Sequence, residues 1–341
     1  MAIPMTRGLS TTALGSVTGL VAGLAIVTAI VTGLAGLGAS AVAAEEYPVR
    51  PVRLIVGFGP GASGDVAARV IAQPLGRLLG QQFVVENRTG AGSNIATSFV
   101  ARAAKDGYTL LLGTVGNTIN ASYANLNFDF LTDLVPIVML ATQPNILVVH
   151  PATGVKNVEE LIRLARARPD GFSFGSAGVG SGSHFSGELF NVMAGTKLVH
   201  VPYAGSAQGV TDLLGGRVQV MFSPASSVLQ HVQDGALVAL ASTQLRRASA
   251  APNLPTVSEA GLPGFDTAGW FGLLAPTGTP QDILDRLERA AKAAMKSDEF
   301  MVPMRQQGFD MEDGTPQEFA AFLRLDIAKW TRVAVAAGLK R

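Results

Sequence analysis

The sequence predicts an α/β protein with two lobes, each a mainly parallel sheet flanked by helices. Short apolar runs alternate with helical segments over residues 54–114 and again over residues 172–241, and this alternation is typical of parallel sheets. A proline-rich stretch, residues 252–264, follows the second set. The chain then becomes apolar again at residues 270–274, where we expect it to cross back to the first lobe. Two crossings between lobes form a hinge.

The first 44 residues are predicted to be a secretory signal peptide. Arg7 is their only charged residue, residues 20–37 are apolar and glycine-rich, and small residues precede Glu45. This order predicts export and cleavage near Ala43 or Ala44. The alternative is an uncleaved anchor, because the apolar run is long enough to span about 30 Å of hydrocarbon. Without a cysteine to carry a lipid, we favour a soluble periplasmic protein.

Composition excludes several classes of function. The whole chain has 26 Lys and Arg against 25 Asp and Glu, so loss of Arg7 leaves no net charge, which argues against a nucleic-acid partner. The absence of cysteine excludes disulfides, thiolate metal sites and thiol nucleophiles.

The first strand, residues 54–58, leads through a turn of small residues into a helix over residues 65–79. The run lacks polar alternation and stops at glycine, which predicts a buried parallel strand. Gly59, Pro60 and Gly61 in the turn allow the backbone to approach a ligand. Because the helix begins with unpaired N–H groups at its positive end, the turn is predicted to bind an anion.

The same turn permits a second interpretation. Residues 59–64 match G-x-G-x-x-G, and Glu86 follows 22 residues after Gly64, where a dinucleotide-binding fold places its ribose carboxylate. A nicotinamide-dependent enzyme is therefore an alternative. Pro60 within the turn and a second glycine-rich turn directly after Glu86 argue against it.

The remaining elements follow in the same order of strand, turn and helix. The first set continues with strands 82–86 and 108–114 around a helix over 94–104, and further strands are predicted at 137–142 and 146–149. The second set has strands 172–176, 198–201, 218–222 and 237–241. Its helices are predicted at 184–193, after residue 206 up to residue 214, and at 228–232. The strands end in small residues, and ligands of open parallel sheets lie beyond the carboxyl ends of the strands.

Helix starts are the most definite local signals. Asn157 begins a predicted capping box, and Thr279 and Thr315 begin two more with proline at the first helical position. The last two predict helices near residues 280–296 and 316–337.

Motifs for catalysis are missing. No serine lies in G-x-S-x-G, no histidine has a partner at metal-ligand spacing, and neither H-E-x-x-H nor G-K-[ST] occurs. We therefore predict a binding protein that is not an enzyme and has no cofactor and no metal. His184, at a predicted helix start, is the histidine most worth attention.

The turns of both lobes are predicted to line one cleft with backbone amides, hydroxyls and a few aromatic rings. Micromolar affinity requires about 8 kcal/mol, which four or five hydrogen bonds to a carboxylate could supply at roughly 1.5–3 kcal/mol each. The candidate ligand-binding residues are Phe58, Gly61, Ala62, Ser63, Asp65, Ser93, Asn94 and Thr114 from the first lobe, and Ser176, Gly178, Ser183, His184, Tyr203 and Gly205 from the second.

Six motifs in one order resemble the Bug-type substrate-binding receptors of tripartite tricarboxylate transporters. They are residues 56–65 with Arg69, 85–94, 106–110, 176–181 with His184, 201–206 and 254–265. The resemblance covers the chain after the predicted signal peptide. Gly61-Ala62 and Gly92-Ser93 depart from the glycine pairs usual in the family, so they put the identity of the ligand in doubt more than the fold.

The resemblance implies a monomeric, type II-like periplasmic binding protein. Its lobes would comprise residues 48–146 plus 270–341 and residues 147–269, joined by two crossing strands. It would close on a small carboxylate, such as a di- or tricarboxylate, an aromatic acid or an amino acid, and deliver it to a membrane permease. A periplasmic sensor of the same fold, serving a signalling partner, is the alternative.

Asp65 is open to two interpretations. It can cap the first helix, or it can receive the amino group of an amino-acid ligand. We favour the cap, because a carboxylate facing the pocket would repel an anionic ligand.

Overall fold

The computed structural model describes residues 1–2 and 47–339, and the described residues from Pro48 onward belong to one compact unit. The predicted signal peptide lies almost entirely outside the described residues. Across the described ranges, no helix combines the length and the apolar character needed to cross a membrane.

One mixed sheet organises the described part of the chain. The strands are β1 (Val52–Val56), β2 (Phe83–Asn87), β3 (Thr109–Thr114), β4 (Leu134–Val149), β5 (Ser173–Ser176), β6 (Val199–Pro202), β7 (Val220–Pro224), β8 (Val238–Ser242), β9 (Ala268–Pro276) and β10 (Asp310–Met311). The main path of the sheet runs β2-β1-β3-β9-β4-β7-β5-β6, with β8 and β10 each paired to β4.

Parallel strands occupy the two ends of this path. β1 lies between β2 and β3, with Leu54 opposite Val85 and Leu110, and β5 lies between β6 and β7, with Phe174 opposite His200 and Val220. The centre is antiparallel, because β9 and β4 run against their neighbours. The predicted alternation is thus confirmed at both ends, while the sheet as a whole is mixed.

β4 joins the two halves of the sheet. It pairs with β9 up to Pro144 and with β7 from Asn145 onward. We predicted two strands separated by residues 143–145, and this was wrong, since β4 is one strand of 16 residues. Pro144 has no N–H to donate, but it lies where the neighbouring strand changes, so the loss is tolerated.

Helices cover the sheet and are mostly those predicted. They are α1 (Ser63–Leu79), α2 (Asn94–Ala101), α3 (Val115–Tyr123), α4 (Val158–Ala167), α5 (Gly182–Ala194), α6 (Ser206–Leu214), α7 (Ala225–Gln233), α8 (Gln281–Met295), α9 (Asp298–Gln306) and α10 (Pro316–Ala336). The Thr315 capping box is confirmed, because Glu318 N–H donates to its hydroxyl at 3.2 Å. The predicted box at Thr279 is absent, since that hydroxyl donates instead to Pro276 O at 2.8 Å.

A buried carboxylate ties three elements together. Asp326 of α10 is 3% exposed and accepts hydrogen bonds from Thr118 Oγ1 of α3 at 2.6 Å and Trp270 Nε1 of β9 at 3.2 Å. Lys329 Nζ pairs with it at 2.9 Å. A buried charge is tolerated only when paired and hydrogen-bonded, and here the pairing fixes α3 against the sheet.

Candidate functional site

A cleft lies where the sheet meets the starts of five of the described helices. It consists of two cavities that share Phe58, Ala62, Ser63, Ala177, Ser206 and Pro224. The strand-side cavity, about 140 Å³, is also lined by Gly64, Thr114, Val115, Gly116, Gln143, Asn145, Ser181, Gly182, Ser183, Gly269 and Phe271. The loop-side cavity, about 340 Å³, is also lined by Gly59, Pro60, Gly61, Val66, Ala204, Gly205, Ala207, Ser226, Ser227, Gln307 and Phe309.

The turn between β1 and α1 forms one wall of the cleft. Ala62 precedes α1 and provides no side-chain cap, so the first N–H groups of the helix have no partner within it. Ser63 and Gly64 of this first turn line the strand-side cavity. Their amides are therefore placed to donate to a bound anion at the positive end of the helix dipole.

Asp65 stabilises this turn by hydrogen bonds and lines neither cavity. Its carboxylate accepts from Gly61 N–H at 3.0 Å and from Asn87 Nδ2 at 2.8 Å, and Arg69 Nε lies 3.0 and 3.1 Å from its two oxygens. Asn87 Nδ2 also donates to Phe58 O at 2.8 Å. Burial alone would raise the pKa of Asp65, but the hydrogen bonds from Arg69, Gly61 and Asn87 lower it overall.

These contacts bear on both interpretations of Asp65. It is the third residue of α1 and binds an N–H group ahead of the helix, so it acts within the first turn and is not the N-cap residue. Its oxygens are already occupied by three donor groups. The predicted contact with a ligand amine therefore receives no support from this placement.

The start of α3 contributes a buried hydroxyl. Thr114 N–H donates to Asn117 Oδ1 at 2.7 Å. In return, the backbone N–H of Asn117 points at Thr114 Oγ1, as in a capping box. The proton of that hydroxyl has no acceptor among the residues that the structure describes. Since buried polar groups are nearly always paired, Thr114 Oγ1 is placed to bind a ligand atom in the strand-side cavity.

The opposite wall is the start of α5. Ser181 Oγ caps the helix by accepting from His184 N–H at 3.3 Å, and Ser183 Oγ accepts from Ala177 N–H at 2.9 Å. Ser181, Gly182 and Ser183 all line the strand-side cavity. This helix start therefore faces the cavity from the other half of the sheet, as does α1 from the first.

Two histidine rings stack behind that wall. The ring centroids of His184 and His200 lie 4.0 Å apart, and the Phe174 ring stacks on His200 at 4.9 Å. Ser176 Oγ lies 2.6 Å from His200 Nε2. Burial, and then the neighbouring His184, lower the pKa of His200 from 6.5 to about 4. The stack is thus packed around a neutral His200 at ordinary pH.

Other predicted residues also support the walls without lining the cavities. Ser93 is 1% exposed and fills the space beside Gly57, and Asn94 Nδ2 is 3.4 Å from Asn120 Oδ1. Gly178 N–H donates to Ser176 Oγ at 3.1 Å. Tyr203 OH donates to Asp212 at 3.0 Å.

The structure therefore separates the fourteen candidate residues into two groups. Those that line the cleft are Phe58, Gly61, Ala62, Ser63, Thr114, Ser183 and Gly205. Those that do not line it are Asp65, Ser93, Asn94, Ser176, Gly178, His184 and Tyr203. Contact of any of them with a ligand remains a prediction.

Sequence reasoning missed the floor of the strand-side cavity. Gln143 and Asn145 of β4, with Gly269 and Phe271 of β9, line it. We had interpreted residues 143–145 as a break between strands. The available signal was two polar side chains at alternate positions in an otherwise apolar run, since such positions share one face of a strand.

No charged side chain lines either cavity within the described ranges. Residues at the starts of five helices line the cleft instead, namely those of α1, α3, α5, α6 and α7. Aligned helix dipoles carry partial positive charge at these ends. Among the residues that the structure describes, no cluster of His, Cys, Asp or Glu could hold a metal ion. The site is suited to a small anion.

The carboxylate expected for a dinucleotide ribose is committed elsewhere. Glu86 accepts from Arg53 Nη2 at 2.6 Å and from Arg88 Nε at 2.7 Å, and it lines neither cavity. Hydrogen bonds from Arg53 are the main reason that the pKa of Glu86 is lowered. This arrangement does not support the nucleotide-binding alternative.

Two sequence comparisons match this chain to known proteins. Residues 67–339 match the sequence model of a family described as the tripartite tricarboxylate transporter family receptor. The chain is 37% identical over 320 residues to protein BugT of Bordetella pertussis, covering 93% of this chain and 98% of BugT.

Two solved structures are similar along nearly their full length. Rpa4515 of R. palustris, solved with adipate, is 38% identical, with a TM-score of 0.78 over 86% of this chain and 99% of that one. MatC from Rhodopseudomonas palustris, solved with bound malate, is 29% identical, with a TM-score of 0.76 over 84% of this chain and 99% of that one.

Proposed function

Because this chain belongs to the tripartite tricarboxylate transporter receptor family, we propose that it captures a small carboxylate in the periplasm and delivers it to a membrane permease of that transporter class. The single observation that carries the proposal is the uncharged cleft, in which helix starts from both halves of the sheet face one cavity.

The chemistry of the cleft supports a carboxylate. Free N–H groups at the starts of α1 and α5, together with Thr114 Oγ1, offer donors to an anion without any side-chain charge. Hydrogen bonds to a charged group contribute about 1.5–3 kcal/mol each, so a few suffice for micromolar binding. The relatives solved with adipate and malate hold acids of this kind.

Ligand capture requires movement between two lobes, which we place at residues 48–146 plus 270–341 and residues 147–269. β4 is hydrogen-bonded in both halves of the sheet, and the chain returns from the second half before β9. Bending at these two connections would bury the ligand and produce the closed form that a permease recognises.

Thermal unfolding with a ligand panel tests the binding step. The purified protein is heated with NAD and with mono-, di- and tricarboxylates, each added separately. A ligand at 100 times its dissociation constant stabilises the folded state by about 2.7 kcal/mol, so at least one acid should raise the melting temperature and NAD should not. A shift with NAD and none with any acid would overturn the proposal.

Uptake measurements test the delivery step. Cells that contain the permease should accumulate the acid identified above only when the receptor is present. Equal uptake without the receptor would show that binding serves another purpose.

A further inference from the structure

Two carboxamide side chains form a polar floor in the strand-side cavity. Gln143 and Asn145 are 4% and 8% exposed, and both line the cavity. They occupy alternate positions of β4 and so lie on the same face of the strand. Buried amides of this kind need hydrogen-bond partners, which makes their free atoms a source of ligand selectivity.

The orientation of Gln143 is fixed by its neighbour. Its Nε2 donates to Gln307 O at 2.8 Å, and a carbonyl can accept only a donor. Within the described residues, no hydrogen bond reaches Gln143 Oε1. Gln143 therefore offers the cavity Oε1, an acceptor without a partner, beside the second N–H of Nε2. The unpartnered acceptor favours a donor on the ligand.

The Asn145 side chain is available both as a hydrogen-bond donor and as an acceptor. Its backbone N–H and carbonyl are both bonded to Thr243, at 3.0 Å each. The part of the chain that the structure describes provides no hydrogen bond to its side-chain amide. Asn145 can thus donate to the same ligand oxygen that donates to Gln143.

A ligand donor at this floor can be a hydroxyl or an ammonium group, and charge decides between them. A buried ammonium requires a carboxylate partner, but no acidic side chain among the described residues lines the cavity. Asp65, the nearest acid in sequence to the binding turn, is occupied by Arg69, Gly61 and Asn87. A hydroxyl satisfies Gln143 Oε1 without introducing a charge.

We propose that the receptor selects small hydroxycarboxylates, an inference that rests on the function proposed above. The carboxylate of the ligand binds at the helix starts, and its hydroxyl donates to Gln143 Oε1 while accepting from Asn145. Gln143 and Asn145 are then specificity-determining residues.

Matched acids test this selectivity in the purified protein. Isothermal titration compares propionate with lactate, succinate with malate and tricarballylate with citrate, since each second acid adds only a hydroxyl. Alanine and aspartate supply the amino counterparts. We expect at least one hydroxy acid to bind about tenfold or more tightly than its unsubstituted partner, because an unmet buried acceptor is costly. The amino counterpart should bind more weakly than the hydroxy acid.

Two variants test whether Gln143 causes the preference for hydroxy acids. In Gln143→Met the ratio of hydroxy-acid affinity to unsubstituted-acid affinity should shrink to about threefold or less. Gln281→Met is the matched control, because Gln281 is exposed at the start of α8 and lies outside the cleft; it should retain the full preference. The wild-type comparison decides the question even where Gln143→Met does not fold.

Three outcomes would overturn the inference. Equal or tighter binding of the unsubstituted acids, or tightest binding of an amino acid, would exclude hydroxyl selection while leaving the receptor function intact. Binding of other carboxylates but of none in these series would do the same. Failure of every carboxylate would instead overturn the proposed function itself.

Discussion

Asp65 is the residue whose role changes most between sequence and structure. It reaches back to Gly61 and across to Asn87, so it shapes the turn between β1 and α1 while lining neither cavity. We expect Asp65→Asn to lower the free energy of unfolding by about 1–3 kcal/mol and to weaken carboxylate binding about tenfold, because the Gly61 amide and Arg69 lose a charged partner. Urea unfolding and isothermal titration measure the two effects.

The matched control for that change is Glu86→Gln, which also converts an acid to an amide. Glu86 is paired with Arg53 and Arg88 at the surface, with 35% of its side chain exposed. Exposed pairs contribute about 0–1 kcal/mol, so Glu86→Gln should have little effect on stability and none on affinity. Equal losses in both variants would contradict a specific role for Asp65.

His200 gives the protein a pH-dependent stability. Its pKa of about 4 in the folded protein lies below the ordinary 6.5, so the unfolded chain binds more protons between these values. The contribution of His200 is therefore complete above pH 6.5 and is lost as the pH falls towards 4. Each pH unit in this interval costs up to about 1.4 kcal/mol.

Urea unfolding between about pH 7 and pH 5 tests this dependence. The free energy of unfolding should fall less steeply in His200→Gln than in the wild type, because glutamine can keep the contact with Ser176 but does not titrate. His231→Gln, in the last turn of α7, should retain the wild-type slope. An unchanged slope in His200→Gln would contradict the assignment.

At the scale of elements, Gly57 allows the segment that follows β1 to pack closely against the turn before α2. A Cβ atom at Gly57 would lie 2.7 Å or less from Ser93, including its backbone Cα. Gly57→Ala should therefore cost about 1–3 kcal/mol, as overpacked sites do. At Gly59 an added Cβ would meet nothing within 4 Å, so Gly59→Ala should cost much less.

A double-mutant cycle tests the contact itself. In a Ser93→Gly background the side-chain clash is removed, and the cost of Gly57→Ala should fall but not vanish, because the Ser93 Cα remains close. Chemical unfolding of the four proteins gives the coupling. A Gly57→Ala cost that is the same in both backgrounds would show that the two elements do not meet as described.

Two elements that sequence reasoning assigned incorrectly, α3 and β4, share a physical cause. α3 contains glycine, asparagines and β-branched residues, all weak helix formers, and it is held by tertiary contacts such as Thr118 with Asp326. β4 contains a proline that normally ends a strand, but the change of partner strand at Pro144 removes the need for a donor. Local propensity cannot reveal either effect.

The candidate site was predictable in its loops and less so in its side chains. The turns at 59–64 and 177–183 contribute to the cleft as expected. Their small residues follow β1 and β5, whose carboxyl ends approach the middle of β4 from opposite directions. Which side chains face inward depends on packing. Ser93 fills the space beside Gly57, His184 stacks on His200, and Gln143 enters the cavity from a strand that spans both halves.

For the whole molecule, the account depends on five helix starts that face one uncharged cleft. Each first turn leaves N–H groups without partners, and a protein pays for such groups unless water or a ligand satisfies them. The two halves of the sheet supply α1 and α3 on one side and α5, α6 and α7 on the other, so a bound carboxylate would link both halves at once.

A crystal structure of the protein with the carboxylate that stabilises it most tests this claim directly. The account predicts a carboxylate group within about 3 Å of the backbone amides of α1 and α5, with Thr114 Oγ1 nearby and no Lys or Arg in contact. An acid bound through an arginine or lysine side chain, or bound outside the cleft, would contradict it.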